Sequence, residues 1–333
     1  MAVNSYTLDL DNIATTTLQI LRSRIADTIF KASPFAYWLL SKGRVKFENG
    51  GLWIQQPLMY GKNTTIAAYK GYDVLNVNPT EELTAARFQW RQAAGSVTIS
   101  GLEELQNAGA AQLFDNLKQK LKILEMSFKE WFNEKLHAAT TAKDPSRDIL
   151  GLAEIIEAAA GGSQGTLGGI SKVTYPWWRN QYPTAPTASG VAYSTRPMTK
   201  AMIGFINDCS KGLSRPDLLI TTQTWYENYE KENMDLMRLA PSDQGMLNMG
   251  FQNQKFKGIT MIWDEQAEAN VIRAVNTEFM EMVIHRSRNF VMTPFVKPHN
   301  QDARSAQMLF AGNMVSSNNR FHGAMLLSGI TYA

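Results

Sequence analysis

Apolar residues recur every three or four positions from about Gly101 to His137. Leu113, Leu117, Leu121, Leu124, Phe128, Phe132 and Leu136 share one face there, while Asp115, Lys118, Lys120, Lys122, Glu125, Lys129, Glu130 and Glu134 occupy the others. That period predicts one amphipathic helix with Leu113, Leu117, Leu121, Leu124, Phe128 and Phe132 as its core-facing stripe. At 1.5 Å per residue the helix is roughly 50 Å long, where a mean globular helix has about a dozen residues. The stripe advances in i+4 steps more than a heptad does, and no partner heptads occur elsewhere. A spine beneath a sheet is therefore predicted, with a coiled coil as the minority reading.

The flanking texture is different. Residues 1–50 read as an arm, with Leu18, Leu21, Ile25 and Ile29 at helical spacing before Pro34 and the aromatic cluster Phe35, Tyr37, Trp38. From Gly50 to Ser100 the pieces LWIQQPLMY, YDVLNV, ARFQWRQ and SVTIS are strand-like and punctuated by Gly61, Gly71, Pro79 and Gly95. In ARFQWRQ, Phe88 and Trp90 alternate with Arg87, Gln89 and Arg91, the period of a half-buried strand. A two-stranded ribbon is marginal in water by itself. Trp53, Phe88 and Trp90 are therefore expected to contact a second molecule, and Phe88→Asp with Trp90→Asp is expected to leave the monomer folded while blocking assembly.

After a turn at 141–150, residues 151–190 are rich in small residues and contain GGSQGTLGG and the aromatic run Tyr175-Pro176-Trp177-Trp178. PMTKAMIGFINDCSK (197–211), DLLITT (217–222), TWYENYEKENMDLM (224–237) and the strand ending at Trp263 alternate helix and strand, which predicts an α/β lobe. Four apolar runs, MEMVIH (280–285), FVMTPFV (290–296), AQMLFAG (306–312) and AMLLSGI (324–330), follow with turn-rich links, as in an antiparallel meander.

Composition excludes more than it assigns. No run of eighteen apolar residues exists, so no membrane-spanning helix is predicted, and the start lacks the basic and then apolar stretches of a secretory signal. Cys209 is the only cysteine, which rules out an internal disulfide and a multi-cysteine metal site. His137, His285, His299 and His322 show no metal-ligand spacing, GGSQGTLGG lacks the GK[ST] of a phosphate-binding loop, and no GxSxG elbow occurs. No cofactor, no metal and no catalytic residue are predicted. Net charge is +3 but uneven: residues 1–47 carry six Lys/Arg against three Asp/Glu, and residues 285–333 carry five against one. Both ends are basic, which suits a weak, non-specific contact with a polyanion as much as plain solvation. The abundance of Met, Trp, Phe and Tyr in extended pieces suits an interface.

The order of parts, together with the phrases GGISKVTYPWWRNQY (168–182), PDLLITTQTWYENY (216–229), FKGITMIWDE (256–265) and the stretch from Phe290 to Ile330, resembles the major capsid proteins of tailed bacteriophages, of the Hong Kong 97-type fold. The resemblance implies an α+β chain divided into an N-terminal arm (1–50), an extended β-ribbon loop (51–100), a peripheral-domain spine helix (101–140), an inserted α/β axial domain (141–275) and a peripheral-domain sheet (276–333). It implies hexamers and pentamers in an icosahedral head around double-stranded DNA, with a ribbon reaching a neighbouring subunit through Trp53, Lys62, Arg87, Phe88, Trp90 and Arg91. Expected partners are further copies of the chain, a separate scaffolding protein, a portal and a decoration protein, in a virion assembled in the host cytoplasm. Some relatives join a ribbon lysine to an asparagine. Lys62 and Lys70, and Asn313, Asn318 and Asn319, occupy such places without a matching pattern, so non-covalent assembly is expected. Another virion protein of the tail or head-completion kind, and an α/β hydrolase with a deep polar pocket, are the alternatives.

Overall fold

A computed structural model describes residues 33–106, 110–138, 144, 146–160, 162–183, 197–237 and 254–327. The arm helix predicted around Leu18 to Ile29 lies outside them. The described chain forms two units, each assembled from separated stretches of sequence.

The first unit draws on 33–50, 90–151 and 282–313. Helix α1 (Pro34–Ser41) is capped by Ser33, whose Oγ accepts from the Ala36 N–H at 3.3 Å, and Pro34 supplies a preset first turn. It buries Phe35, Ala36 and Leu39, with Phe35 edge-on to His137. Strand β1 (Val45–Glu48) follows.

The predicted spine appears as α2 (Gly101–Gln106) and α3 (Ala110–His137), the latter 28 residues and about 42 Å long. Of the predicted stripe, Phe128 and Phe132 are buried and Leu121 and Leu124 half-buried; the side chains of Leu113 and Leu117 lie outside the described residues. The stripe rests on a five-stranded sheet made by β1, β4 (Arg91–Ser100), β11 (Met280–His285), β12 (Val291–Met292) and β13 (Ala303–Ser316). Phe128, Phe132, Phe290 and Phe310 pack ring against ring between helix and sheet. Gly95 on β4 lets the helix approach: a Cβ there would stand 2.6 Å from Leu124 Cδ1.

The sheet corrects the meander. β13 lies between its partners, antiparallel to β4 from Ala303↔Ser100 to Gly312↔Arg91 and antiparallel to β12 on its other edge, while β1 runs parallel to β11. The fourth apolar run leaves for the second unit. Apolar texture identified the strands, but not which neighbours they take.

The second unit draws on 51–89, 152–281 and 314–327 among the described residues. It includes the ribbon strands β2 (Ile54–Met59) and β3 (Leu83–Phe88), the short helix α4 (Leu152–Ile155), and a small hairpin of β5 (Thr166–Leu167) and β6 (Ile170–Ser171). Its main sheet has the order β14 (Gly323–Leu326), β10 (Val271–Val275), β7 (Leu218–Thr221), β9 (Ile259–Trp263), β8 (Lys255–Phe256), with β7 and β9 parallel and the other pairs antiparallel. Helices α5 (Pro197–Cys209) and α6 (Gln223–Met237) bury Met198, Met202, Phe205, Cys209, Trp225 and Tyr229 with Leu219, Met261, Ile272 and Met325 of the strands. Helices and a mixed sheet thus share one core in this unit. Glu232 of α6 satisfies the opening N–H groups of α5, accepting from Met198 N and Thr199 N at 2.9 Å each.

Cys209 is buried and its thiol is pushed up to about 12 by that burial, so it stays a thiol in the core. The buried His322 ring accepts from the Asn276 N–H at 3.1 Å and is neutral. Burial, and then the nearby Lys172 charge, push it down to about 3. An unfolded histidine takes its proton near pH 6.5, so the unfolded chain binds a proton that the fold refuses. The stability held by the neutral ring is complete above pH 6.5 and is lost progressively as pH falls toward 3. Melting temperature measured across that window should drop more steeply for the wild type than for His322→Gln.

Candidate functional site

Among the described residues no group of three or more His, Cys, Asp and Glu side chains is placed to hold a metal ion, and no helix is long and apolar enough to cross a membrane. The feature with the most exposed apolar surface is the ribbon. β2 and β3 pair antiparallel from Ile54↔Phe88 to Met59↔Leu83. Inside that stretch Ile54, Leu58, Ala86 and Phe88 are buried; past it, residues 60–82 form no strand, and the predicted strand YDVLNV belongs to this irregular tip. The tip is held locally by Asn63 and Asn76, whose side chains accept from the N–H two residues on, Thr65 and Asn78.

The ribbon base has a core of its own, which the sequence reading missed. In the β5–β6 hairpin the two-residue turn is Gly168-Gly169, both with positive φ (60° and 81°), the turn that matches strand twist. The glycine-rich run is thus a hairpin corner. Arg87 donates its N–H to Gly168 O at 2.9 Å, and a Cβ on Gly168 would stand 2.8 Å from Ala86 Cβ and 3.1 Å from Phe88 Cζ. Gly168→Ala should therefore cost about 2–3 kcal/mol, from the left-handed backbone plus the crowding, and speed hydrogen exchange at the Arg87 amide. Unchanged exchange there would show that the hairpin does not hold the ribbon.

The hairpin is in turn fixed from within. The Lys172 ammonium, fully buried, donates to Glu154 O (3.1 Å), Ile155 O (2.9 Å) and Glu157 Oε1 (2.8 Å). Burial pulls its pKa down and the Glu157 carboxylate pulls it back up. Glu157 also accepts from Gly165 N, and Asn180 bonds both the N–H and the C=O of Glu157. Trp178, buried, donates Nε1–H to Leu167 O at 3.0 Å.

From Trp178 outward runs a ladder of rings. Trp177 sits 5.8 Å from Trp178, stacks on Tyr60 of the ribbon at 5.4 Å and 22°, and touches Tyr175 at 6.0 Å. Tyr60 and Tyr175 are 40% and 47% exposed, so the ladder begins in the core and ends in solvent. The run Tyr-Pro-Trp-Trp was its signal in the sequence.

The predicted contact residues are divided between the two units. Trp53 and Arg87 are exposed at the ribbon base and Lys62 on the tip. Phe88 is 4% exposed, packed within its own unit, which corrects its assignment to an intermolecular contact. Trp90 and Arg91, both half-buried, belong to the other unit: Trp90 is edge-on to His285 at 5.5 Å and Arg91 opens β4 opposite Gly312. The ribbon therefore ends at Phe88, because Gln89-Trp90 leads into a strand of a different sheet.

No protein-family model matches the chain, and no curated protein matches it. Solved structures do. A chain of the cyanophage A-1(L) capsid asymmetric unit matches with a TM-score of 0.56 at 14% identity, covering 85% of this chain and 90% of that one. A chain of the capsid of Myoviridae phage XM1 gives 0.51 at 12% identity, with 86% and 91% covered. The SrpI encapsulin of Synechococcus elongatus PCC 7942 gives 0.50 at 9%, with 89% and 90% covered. The chain has the Hong Kong 97-type fold.

Proposed function

We propose that the chain is the major capsid protein of a tailed bacteriophage, a subunit that closes with copies of itself into hexamers and pentamers of an icosahedral head around double-stranded DNA. The likeness in fold to the cyanophage A-1(L) capsid chain, over 85% of this one, carries the reading. The ribbon supports it, since Ile66, Tyr69, Tyr72, Val74, Leu75 and Val77 expose a run of apolar side chains of the kind that marks an interaction surface. In this reading the chain has no catalytic residue and works by self-association in the shell of the virion.

Assembly is non-covalent in this proposal. Lys62 and Lys70 are exposed on the tip, but Asn313 and Asn319 are buried and engaged, Asn313 accepting from Leu150 N at 2.8 Å and Asn319 donating to Ile155 O at 3.0 Å. Asn318 caps the turn that follows it, accepting from Arg320 N. A separate scaffolding protein, a portal and a decoration protein complete the proposed head, and basic side chains such as the exposed Arg286 face the packaged DNA.

Electron microscopy of the purified chain, alone and co-expressed with a neighbouring scaffold gene, tests the reading. Shells, tubes or capsomer rings are expected. A monomer under every condition would end it.

A further inference from the structure

An asparagine followed by glycine is open to attack by its own backbone, because the next nitrogen carries no side chain to shield it. The sequence holds one such pair, Asn49-Gly50. It stands where the chain passes from the first unit to the second, the one ending its opening stretch at Gly50 and the other beginning at Gly51. Asn49, Gly50 and Gly51 are all exposed and lie outside helix and strand, between β1 and β2. Neither Asn49 nor Gly50 makes a hydrogen bond among the described residues. Gly50 has φ 134°, and a Cβ there would meet nothing within 4 Å, so the reacting side chain and water both have room.

We propose that Asn49 is a site of spontaneous covalent modification, passing through a cyclic imide to aspartate and isoaspartate. This chemistry does not depend on the capsid-subunit reading. The Gly50 nitrogen loses its proton to solvent and bonds to Asn49 Cγ, the Cγ–Nδ2 bond breaks, and ammonia leaves with a proton from water. Water then opens the five-membered ring. Opening at Cγ gives aspartate, and opening at the main-chain carbonyl gives isoaspartate, whose backbone runs through the side chain. Nothing is oxidised or reduced: one water enters, one ammonium leaves, and a neutral amide becomes a carboxylate.

Other asparagines are guarded. Asn63 and Asn76 are exposed, but their side chains already accept from the N–H of Thr65 and Asn78, and the β-branched Thr64 and Val77 follow them. Asn78 precedes Pro79, which has no N–H to lose. Asn180, Asn276, Asn313 and Asn319 are buried with their amides bonded. The place also decides the consequence. The crossings between units at 281–282 and 313–314 run inside β11 and β13, whereas this one is an exposed glycine linker that absorbs the extra backbone atom of isoaspartate without breaking a ladder. What changes is charge: the net +3 falls by one, and the new carboxylate directly follows Glu48.

Timed incubation of the full chain at alkaline pH, followed by peptide mapping by mass spectrometry, tests the proposal. The peptide containing Asn49 should gain the one mass unit that separates a carboxyl from an amide and split into two chromatographic forms. One of them should accept a labelled methyl group from an isoaspartyl methyltransferase. Conversion at Asn49 should be at least tenfold faster than at any other asparagine, should quicken with pH, and should run within about threefold of a synthetic peptide spanning Lys46 to Trp53. Asn49→Gln should abolish the signal and melt like the wild type. An intact Asn49 overturns the proposal, as does conversion more than tenfold slower than in the peptide, which would show that the fold holds the Gly50 N–H. Equal conversion at Asn63 or Asn76 overturns it too, because exposure alone would then decide the site.

Discussion

Phe88→Asp is expected to destabilise the second unit by about 4–5 kcal/mol, the loss of a buried aromatic ring compounded by a carboxylate placed where Ala86, Ile54 and the Gly168 turn exclude water. Urea unfolding followed by tryptophan fluorescence measures it, since Trp177 and Trp178 belong to the same unit. Trp90→Asp, half-buried beside His285, should cost no more than about 2 kcal/mol and should act on the other unit. Tyr72→Asp, in open solvent, should stay within ~0.5 kcal/mol. Equal effects of Phe88→Asp and Trp90→Asp would restore the view that the two rings share one face of one strand.

Lys172→Met is the second large effect, about 3–5 kcal/mol. Removing the ammonium strips a donor from two backbone carbonyls and leaves Glu157 without its counter-charge. Apolar volume cannot compensate, because what remains in the cavity is polar. A second readout separates this from generic core damage. The Lys172 charge is one cause of the low His322 pKa, so in Lys172→Met the acid-sensitive window below pH 6.5 should narrow from its lower end. A loss below ~1 kcal/mol would mean that water replaces the ammonium and that the hairpin is held by other contacts.

These two residues also mark where sequence reading works and where it stops. The spine helix was legible because its stripe has one period over seven turns, and α5 and β7 because their apolar runs are bounded by Pro197 and Pro216. The expectation for Phe88 fails because alternation reports a face and says nothing of what covers it or of where a strand ends. The break at Gln89 has no glycine or proline to announce it. Lys172 gave no signal at all: a lysine in ISKVTY reads as solvated, and only the fold brings three acceptors around it. Gly168-Gly169 stood in plain view, but a glycine pair proposes a hairpin only when both flanks are known to be strands, and these are two residues each. The ladder needed Tyr60 and Trp177 to meet from positions more than a hundred residues apart.

The interleaving of the two units bears on how the chain is made. The central strand of the first unit's sheet is β13, the last of that sheet to be synthesised, and the second unit's sheet waits for β14, later still. Until residues past 300 have left the ribosome, β4 has no strand to pair with, α3 has no Phe310 to cover its stripe, and β10 lacks a partner on one edge. The early elements must therefore remain unfinished through most of translation, with the apolar ribbon tip already exposed. Non-local pairing of this kind folds slowly and is prone to aggregate. Overproduction should accordingly be limited by nascent-chain chaperone capacity before it is limited by the stability of the finished subunit.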